Sequence, residues 1–189
     1  MKLQALIIGA VLATAGAATA QVIVSQGIGL SHDCYIYAKL GKDTRSGIDV
    51  CNEAIKREAL GRKDLAATYD NRGIMLDMRG RTDDAASDFN MAISLDPKLG
   101  DPYVNLGSML IKKRQYAESL EHINKGLDLG MSFPHIGYYD RAIAEQMMGR
   151  YKEAYYDYKK VLEIEPNYTQ AAERLKDFTV TTVPAKSPG

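Results

Sequence analysis

Apolar residues in this chain recur at helical spacing, in pairs of stretches that are separated by a short polar turn. Such spacing marks the buried face of an α-helix. The pattern repeats after about 34 residues: residues 80–97 recur at 149–166, and a weaker copy runs from Arg114 to Met131. A period of this length is typical of stacked helical hairpins. The sequence therefore predicts an all-α solenoid.

The copies also share residue types at fixed positions. Residues 66–99 carry an aromatic-small-small-aromatic-small series that closes on proline: Tyr69, Gly73, Ala85, Phe89, Ala92 and Pro97. Residues 135–168 carry a similar series: Tyr138, Ala142, Tyr151, Ala154, Tyr158 and Pro166. Residues 100–133 match less well, because Ile123 replaces the second aromatic residue and Met131 replaces the proline.

This series resembles the tetratricopeptide repeat. The resemblance implies a right-handed solenoid of helix-turn-helix hairpins, whose concave side binds proteins or peptides without catalysis. Proline disfavours helical geometry in the residue before it, so Asp96 and Glu165 are expected in loops. A last helix over residues 169–178 is expected to cap the array, and residues 179–189 are expected to form a disordered tail.

A degenerate hairpin is predicted ahead of these units, over residues 28–61. Aligning its Ala54 with Ala92 places Tyr35 on the first helix, facing the small Gly47 on the second. About four extra residues, Arg62 to Leu65, then separate this hairpin from the next one.

The same alignment makes Cys34 and Cys51 packing partners within the degenerate hairpin. A disulfide between them is the favoured interpretation for an exported chain, and it would stabilise that hairpin by roughly 3 kcal/mol. Two buried thiols are one alternative. A nucleophilic Cys34 beside His32 is another, although residues two apart on a helix point away from each other.

The first twenty residues have the layout of a cleavable export signal. Lys2 precedes an apolar stretch, and small residues end at Ala20, so residues 1–20 are expected to be removed. Residues 21–27 then form a linker, and the mature protein is expected to be secreted or periplasmic, without membrane insertion. The apolar stretch is shorter than the roughly 20 residues that span a bilayer.

Composition argues against several activities. Lys plus Arg and Asp plus Glu both number 24, so no overall charge attracts nucleic acid or an anionic membrane. His32, His122 and His135 are scattered, without the spacing of a metal site. The sequence therefore predicts no enzyme, no cofactor and no metal.

In tetratricopeptide repeats the first helix of each hairpin lines a concave groove. Carrying those positions over gives the candidate groove residues Asp33, Ile36, Asp70, Asn71, Ile74, Asp77, Asn105, Ser108, Tyr139, Asp140 and Ile143. Amide side chains both donate and accept, which suits the main chain of an extended peptide. The aspartates favour a basic or neutral partner of unknown identity.

Some tetratricopeptide repeats clamp a C-terminal carboxylate with Lys and Asn at fixed groove positions. This chain has Asp70 and Ile74 at two of those positions, so no such recognition is expected. The predicted function is a noncatalytic interaction module of the cell envelope. The alternatives are a structural envelope scaffold, or an accessory subunit of an envelope enzyme, acting through the convex face or the solenoid ends.

Overall fold

The computed structural model describes residues 29–178, and this part of the chain is all-helical. Its helices are α1 (Leu30–Leu40), α2 (Thr44–Arg57), α3 (Arg62–Met78), α4 (Thr82–Leu95), α5 (Asp101–Lys112), α6 (Tyr116–Leu129), α7 (Pro134–Met147), α8 (Tyr151–Ile164) and α9 (Thr169–Leu175). We call α1, α3, α5 and α7 the A helices and α2, α4, α6 and α8 the B helices. The predicted all-α fold is confirmed.

Consecutive helices pair into antiparallel hairpins, and each B helix also packs against the next A helix. The A-to-B turns of the last three hairpins close in the same way. A left-handed residue follows the A helix in each, and the next amide donates to the carbonyl of the A helix five residues earlier. The left-handed residues are Gly80, Arg114 and Gly149, one repeat apart.

The core lies between the two layers of helices. A large cluster joins the first units and includes Cys34, Met75 and Phe89, while a second cluster around Tyr158 and Val161 fills the C-terminal end. Ala171 on α9 is buried in that second cluster, and Leu175 and Phe178 pack against it. The last helix therefore covers the apolar end of the array.

The structure differs from three of the sequence-based expectations. Tyr37, not Tyr35, packs against Gly47, because its Cβ lies 2.7 Å from where a Gly47 Cβ would stand. Arg62 to Leu65 form the first turn of α3 instead of a spacer, and α9 ends at Leu175, three residues earlier than expected.

Asp96 and Glu165 follow the ends of α4 and α8, as predicted from the prolines. The predicted signal, linker and C-terminal tail lie outside the described residues, as does Ile28.

The first hairpin is held by two links that the other hairpins lack within the described part of the chain. Cys34 and Cys51 form a disulfide, with their Cα atoms 4.9 Å apart. The Glu58 carboxylate, just after α2, accepts from the backbone N–H groups of Leu30 and Ser31 at the start of α1. A carboxylate there satisfies free donors and interacts favourably with the helix dipole.

Candidate binding groove

The four A helices lie side by side on the inner face of the solenoid. α1 contacts α3, α3 contacts α5 and α5 contacts α7, so each A helix touches the A helix of the next hairpin. This is the arrangement expected when the A helices line the concave side of a helical repeat array.

A groove opens on that face. It consists of two adjoining hollows of about 180 Å³ and 540 Å³. Six residues line both hollows and are called the groove floor here: Tyr35, Asn71, Ile74, Asn105, Phe133 and Ile136. They come from all four A helices or, for Phe133, from the residue immediately before α7.

The groove floor is mainly apolar. Phe133 and Ile136 are 40% and 39% exposed and line both hollows together, and contiguous exposed apolar side chains indicate an interaction site more than single ones do. Asn71 is half-buried and supplies an amide beside them. Lys39 and Glu165 stand at the rim of the larger hollow, so the rim carries one charge of each sign.

Asp70 and Asn105, two of the predicted groove residues, are hydrogen-bonded to each other. Asp70 is only 6% exposed, and its carboxylate accepts a hydrogen bond from Asn105 Nδ2 at 2.8 Å. Burial raises the pKa of Asp70 to about 7, against the opposing effect of this hydrogen bond, and nearby Asp101 raises it further. One donor of Asn105 is therefore already used by the protein itself.

A similar contact joins the next pair of A helices. Ser108 Oγ donates to the Asp140 carboxylate, and burial raises the pKa of Asp140 to about 6 although this bond opposes the shift. Lys112 Nζ lies 2.5 Å from an Asp77 oxygen. The aspartates are therefore tied to neighbouring A helices, and the negative charge expected from them in the groove is largely absent.

The predicted groove residues thus separate into two groups. Asp70, Asn71, Ile74 and Asn105 line the groove. The others lie outside both hollows: Asp33, Ile36, Asp77, Ser108, Tyr139, Asp140 and Ile143.

Tyr139 and Ile143 belong to the C-terminal core instead. The Tyr139 ring lies 5.7 Å from that of Tyr158 and 5.2 Å from that of Tyr168, measured between centroids, and Ile143 packs against the same cluster. Aromatic pairs at these distances are favourable packing contacts. Both residues are therefore partly buried outside the two hollows, and their role in partner binding stays a prediction.

Tyr35, Phe133 and Ile136 are floor residues that the repeat alignment missed. Phe133 is the last residue of the unit 100–133 and lies between α6 and α7, where the repeat alignment assigns no groove position. Tyr35 was assigned to the inside of its hairpin. One sequence feature could have identified these three floor residues. Each is a large apolar or aromatic residue at a position for which the repeat pattern provides no buried packing partner.

A second network, which the sequence analysis did not predict, joins an A helix to its own B helix and to the preceding B helix. Arg72 on α3 donates to both carboxylate oxygens of Asp88 at 2.7 Å, and also to Asn52 of the preceding B helix. The last hairpin repeats the arrangement with a second triad: Arg141, Asp157 and Asn124. Two parallel bonds from one guanidinium give a strong, directional ion pair.

The described residues contain no group of side chains suited to hold a metal ion. Nor does any described helix have the length and apolar character required to cross a bilayer.

Comparison with known proteins identifies the repeat. The tetratricopeptide repeat family model matches residues 135–168. The first tetratricopeptide domain of Spaghetti (RPAP3), solved with the HSP90 peptide SRMEEVD, is 23% identical, with a TM-score of 0.56 over 61% of this chain and 90% of that one.

Two further solved structures are similar over more of the chain. PilW, described as a type IV pilus biogenesis factor, is 21% identical, with a TM-score of 0.66 over 79% of this chain and 69% of PilW. PilF of Pseudomonas aeruginosa is 14% identical, with the same TM-score over 78% of this chain and 65% of PilF. At these identities the likeness concerns the fold. The chain therefore carries a tetratricopeptide repeat at residues 135–168 and has the all-α fold of the tetratricopeptide-repeat proteins.

Proposed function

We propose that this protein is a noncatalytic interaction module of the cell envelope that binds an extended segment of a partner protein in the groove. The observation that carries the proposal is the groove floor, which leaves two large apolar side chains, Phe133 and Ile136, substantially exposed beside the amide of Asn71. Sites for peptides combine such apolar contact area with a few polar groups that fix the main chain.

The groove chemistry favours a segment with apolar side chains and little net charge. No carboxylate belongs to the groove floor: Asp70 is buried and bonded to Asn105, and Asp101 in the smaller hollow accepts hydrogen bonds from Ser132. The rim residues Lys39 and Glu165 oppose each other in sign. The segment is an internal one, because Asp70 and Ile74 stand where a carboxylate clamp would need Lys and Asn.

The proposed location rests on residues 1–20 alone, with cleavage after Ala20 placing the mature protein in the periplasm or outside the cell. Expression of the full gene followed by mass measurement of the exported protein tests this. A product that starts at Gln21 supports export with cleavage, and an uncleaved product retained in the cytoplasm contradicts it.

Groove binding is tested with a peptide selected on the purified protein from a random library and labelled for fluorescence polarisation. Phe133→Ala removes an aromatic contact, and we expect a loss of binding energy of about 2 kcal/mol, roughly thirtyfold in Kd. Asn71→Ala is expected to weaken binding about tenfold through lost main-chain hydrogen bonds.

The matched control is Met91→Ala on α4, which removes an equally exposed apolar side chain from the outer layer. It is expected to leave the Kd unchanged. If Met91→Ala weakens peptide binding as much as Phe133→Ala does, the groove is not the binding site. Circular dichroism spectra of all variants check that the helices are retained.

One observation favours the alternative of a scaffold that associates through its ends. A hollow of about 430 Å³ opens between α8 and α9, lined by the apolar side chains of Leu162, Leu175 and Phe178 and by Tyr155. Nearby Tyr156 is more than half exposed. Light scattering tests self-association: a dimer that Tyr156→Ser converts to a monomer supports this alternative, whereas a monomer at all concentrations excludes self-association.

A further inference from the structure

One edge of the solenoid carries a charge that the chain as a whole lacks. This edge, the turn edge, consists of the four A-to-B turns: residues 40–45, 78–83, 112–117 and 147–152. They hold nine basic side chains and two acidic ones, although the chain has 24 of each. The four matching B-to-A segments of the opposite edge hold three of each: residues 57–62, 95–100, 129–134 and 164–169.

The first three turns are neighbours in space as well as equivalent in the repeat. Arg79 Nη1 reaches Thr44 Oγ1 of the preceding turn at 3.5 Å. Lys112 is linked to Asp77, the residue just before the second turn. The basic side chains therefore form a row that passes from one hairpin to the next.

Most of these charges are not neutralised by ion pairs. Arg81 pairs with Asp84 at 2.7 Å, and Lys112 pairs with Asp77. Among the described residues no ion pair holds the remaining seven: Lys42, Arg45, Arg79, Lys113, Arg114, Arg150 and Lys152. Of the two acidic side chains on this edge, Asp43 is occupied as the N-cap of α2.

Large apolar side chains stand among the basic ones. Leu40, Met78, Met147 and Tyr151 are all more than half exposed, and Met148 is exposed as well. Three of them, Leu40, Met78 and Met147, end their A helices and project from the tips of the hairpins. They can leave water without any change in the packing of the core.

Basic and apolar side chains alternating along one edge match the chemistry of a membrane surface. Anionic headgroups attract Lys and Arg, flexible apolar side chains enter the boundary between headgroups and acyl chains, and tyrosine favours the same depth. We propose that the turn edge binds the surface of a bilayer that contains anionic lipid. The groove lies on the A-helix face, so this contact is separate from peptide binding.

Vesicle flotation with the protein lacking residues 1–20 tests the proposal, and this form retains every described residue. We expect binding to vesicles that contain phosphatidylglycerol, weakening with salt, and none to pure phosphatidylcholine. Each basic residue removed lowers the partition coefficient about fivefold. The variant Lys42→Gln/Lys113→Gln/Arg150→Gln is therefore expected to bind about a hundredfold more weakly, and Met78→Ser/Met147→Ser to bind clearly more weakly as well.

The matched control removes three charges from the opposite side: Arg62→Gln/Lys63→Gln/Lys98→Gln. It has the same net charge as the turn-edge variant and is expected to lose no more than a few-fold. Equal losses for the two triple variants would overturn the proposal, as would equal binding to both kinds of vesicle. No vesicle binding, with retention on immobilised polyglutamate, would assign the edge to an acidic protein instead.

Discussion

At the residue scale, the buried carboxyl of Asp70 sets how stability responds to pH. Its pKa in the folded protein is raised from 3.8 to about 7, mainly by burial. The pKa values of Asp140 and Glu145 are raised in the same direction, to about 6 and about 7. At a pH between the ordinary carboxyl pKa and these raised values, the folded protein keeps these protons, whereas the unfolded chain releases them. The contribution of these three groups to the free energy of unfolding therefore falls as the pH rises from about 4 to about 7.

Asp70→Asn removes this titration while keeping an acceptor for the Asn105 amide. We expect the substitution to stabilise the protein more at pH 8 than at pH 5, with a difference on the order of 2 kcal/mol. Urea unfolding at the two pH values measures it. Asp83→Asn, at an exposed position, is the control and is expected to give nearly the same small change at both values. A stabilisation by Asp70→Asn that is equal at both values would mean that Asp70 stays ionised in the fold.

The sequence is least informative about contacts between individual side chains. Asp70 and Asn105 were both identified as inner-face positions, because the repeat fixes which face of an A helix each one occupies. Their mutual hydrogen bond depends on side-chain reach between adjacent hairpins, and the repeat pattern does not encode that distance. The same limit applies to Phe133, which lies between α6 and α7, where the repeat pattern assigns no helix face.

At the element scale, the arginine triads explain how successive hairpins are held in register. Arg72 on α3 donates to Asp88 on α4 of its own hairpin and to Asn52 on α2 of the preceding hairpin. One side chain therefore joins the two hairpins. The hairpin of α5 and α6 lies between the two hairpins that carry triads. It has Leu106 at the arginine position and His122 at the aspartate position, so both charged residues are replaced together. This is physically consistent, because a lone charge at a largely buried position is costly.

Arg72→Met tests this link. Asp88 is buried and would lose its only ionic partner among the described residues, so we expect a loss of about 2 kcal/mol in the free energy of unfolding. Denaturant unfolding measures it. The double variant Arg72→Met/Asp88→Leu is expected to recover much of that loss, since no buried charge then remains.

The control is Arg81→Met, which breaks the exposed pair with Asp84 and is expected to change stability by less than about 0.5 kcal/mol. Equal effects of Arg72→Met and Arg81→Met would show that the triad adds nothing beyond a surface ion pair.

The helices themselves were the most predictable elements. Prolines and polar turns located the ends of α4 and α8, since proline prevents the preceding residue from staying helical. The first hairpin is harder to predict, because its alignment with the other repeat units depends on small residues alone. Tyr35 and Tyr37 are two positions apart on α1, and the pattern did not show which of them packs against Gly47.

At the scale of the whole molecule, the described helices form a chain of neighbours. Each hairpin packs against the next one, and the extensive helix contacts of the described residues lie within a hairpin or between neighbours in sequence. Stability in such an array is close to a sum of local terms, so an end hairpin can open while the others stay folded. The first hairpin departs furthest from the repeat pattern and holds the disulfide.

Removal of that disulfide should therefore act locally. We expect Cys34→Ser/Cys51→Ser to lower the stability of the first hairpin by about 3 kcal/mol, because the unfolded segment regains the entropy of a short open loop. Hydrogen exchange followed by mass spectrometry should show faster exchange in α1 and α2 and unchanged protection in α7 and α8. A reductant added to the wild type should reproduce the pattern, and added to the variant should have no further effect. Equal loss of protection along all the helices would contradict local stability, because it would mean that the hairpins unfold as one cooperative unit.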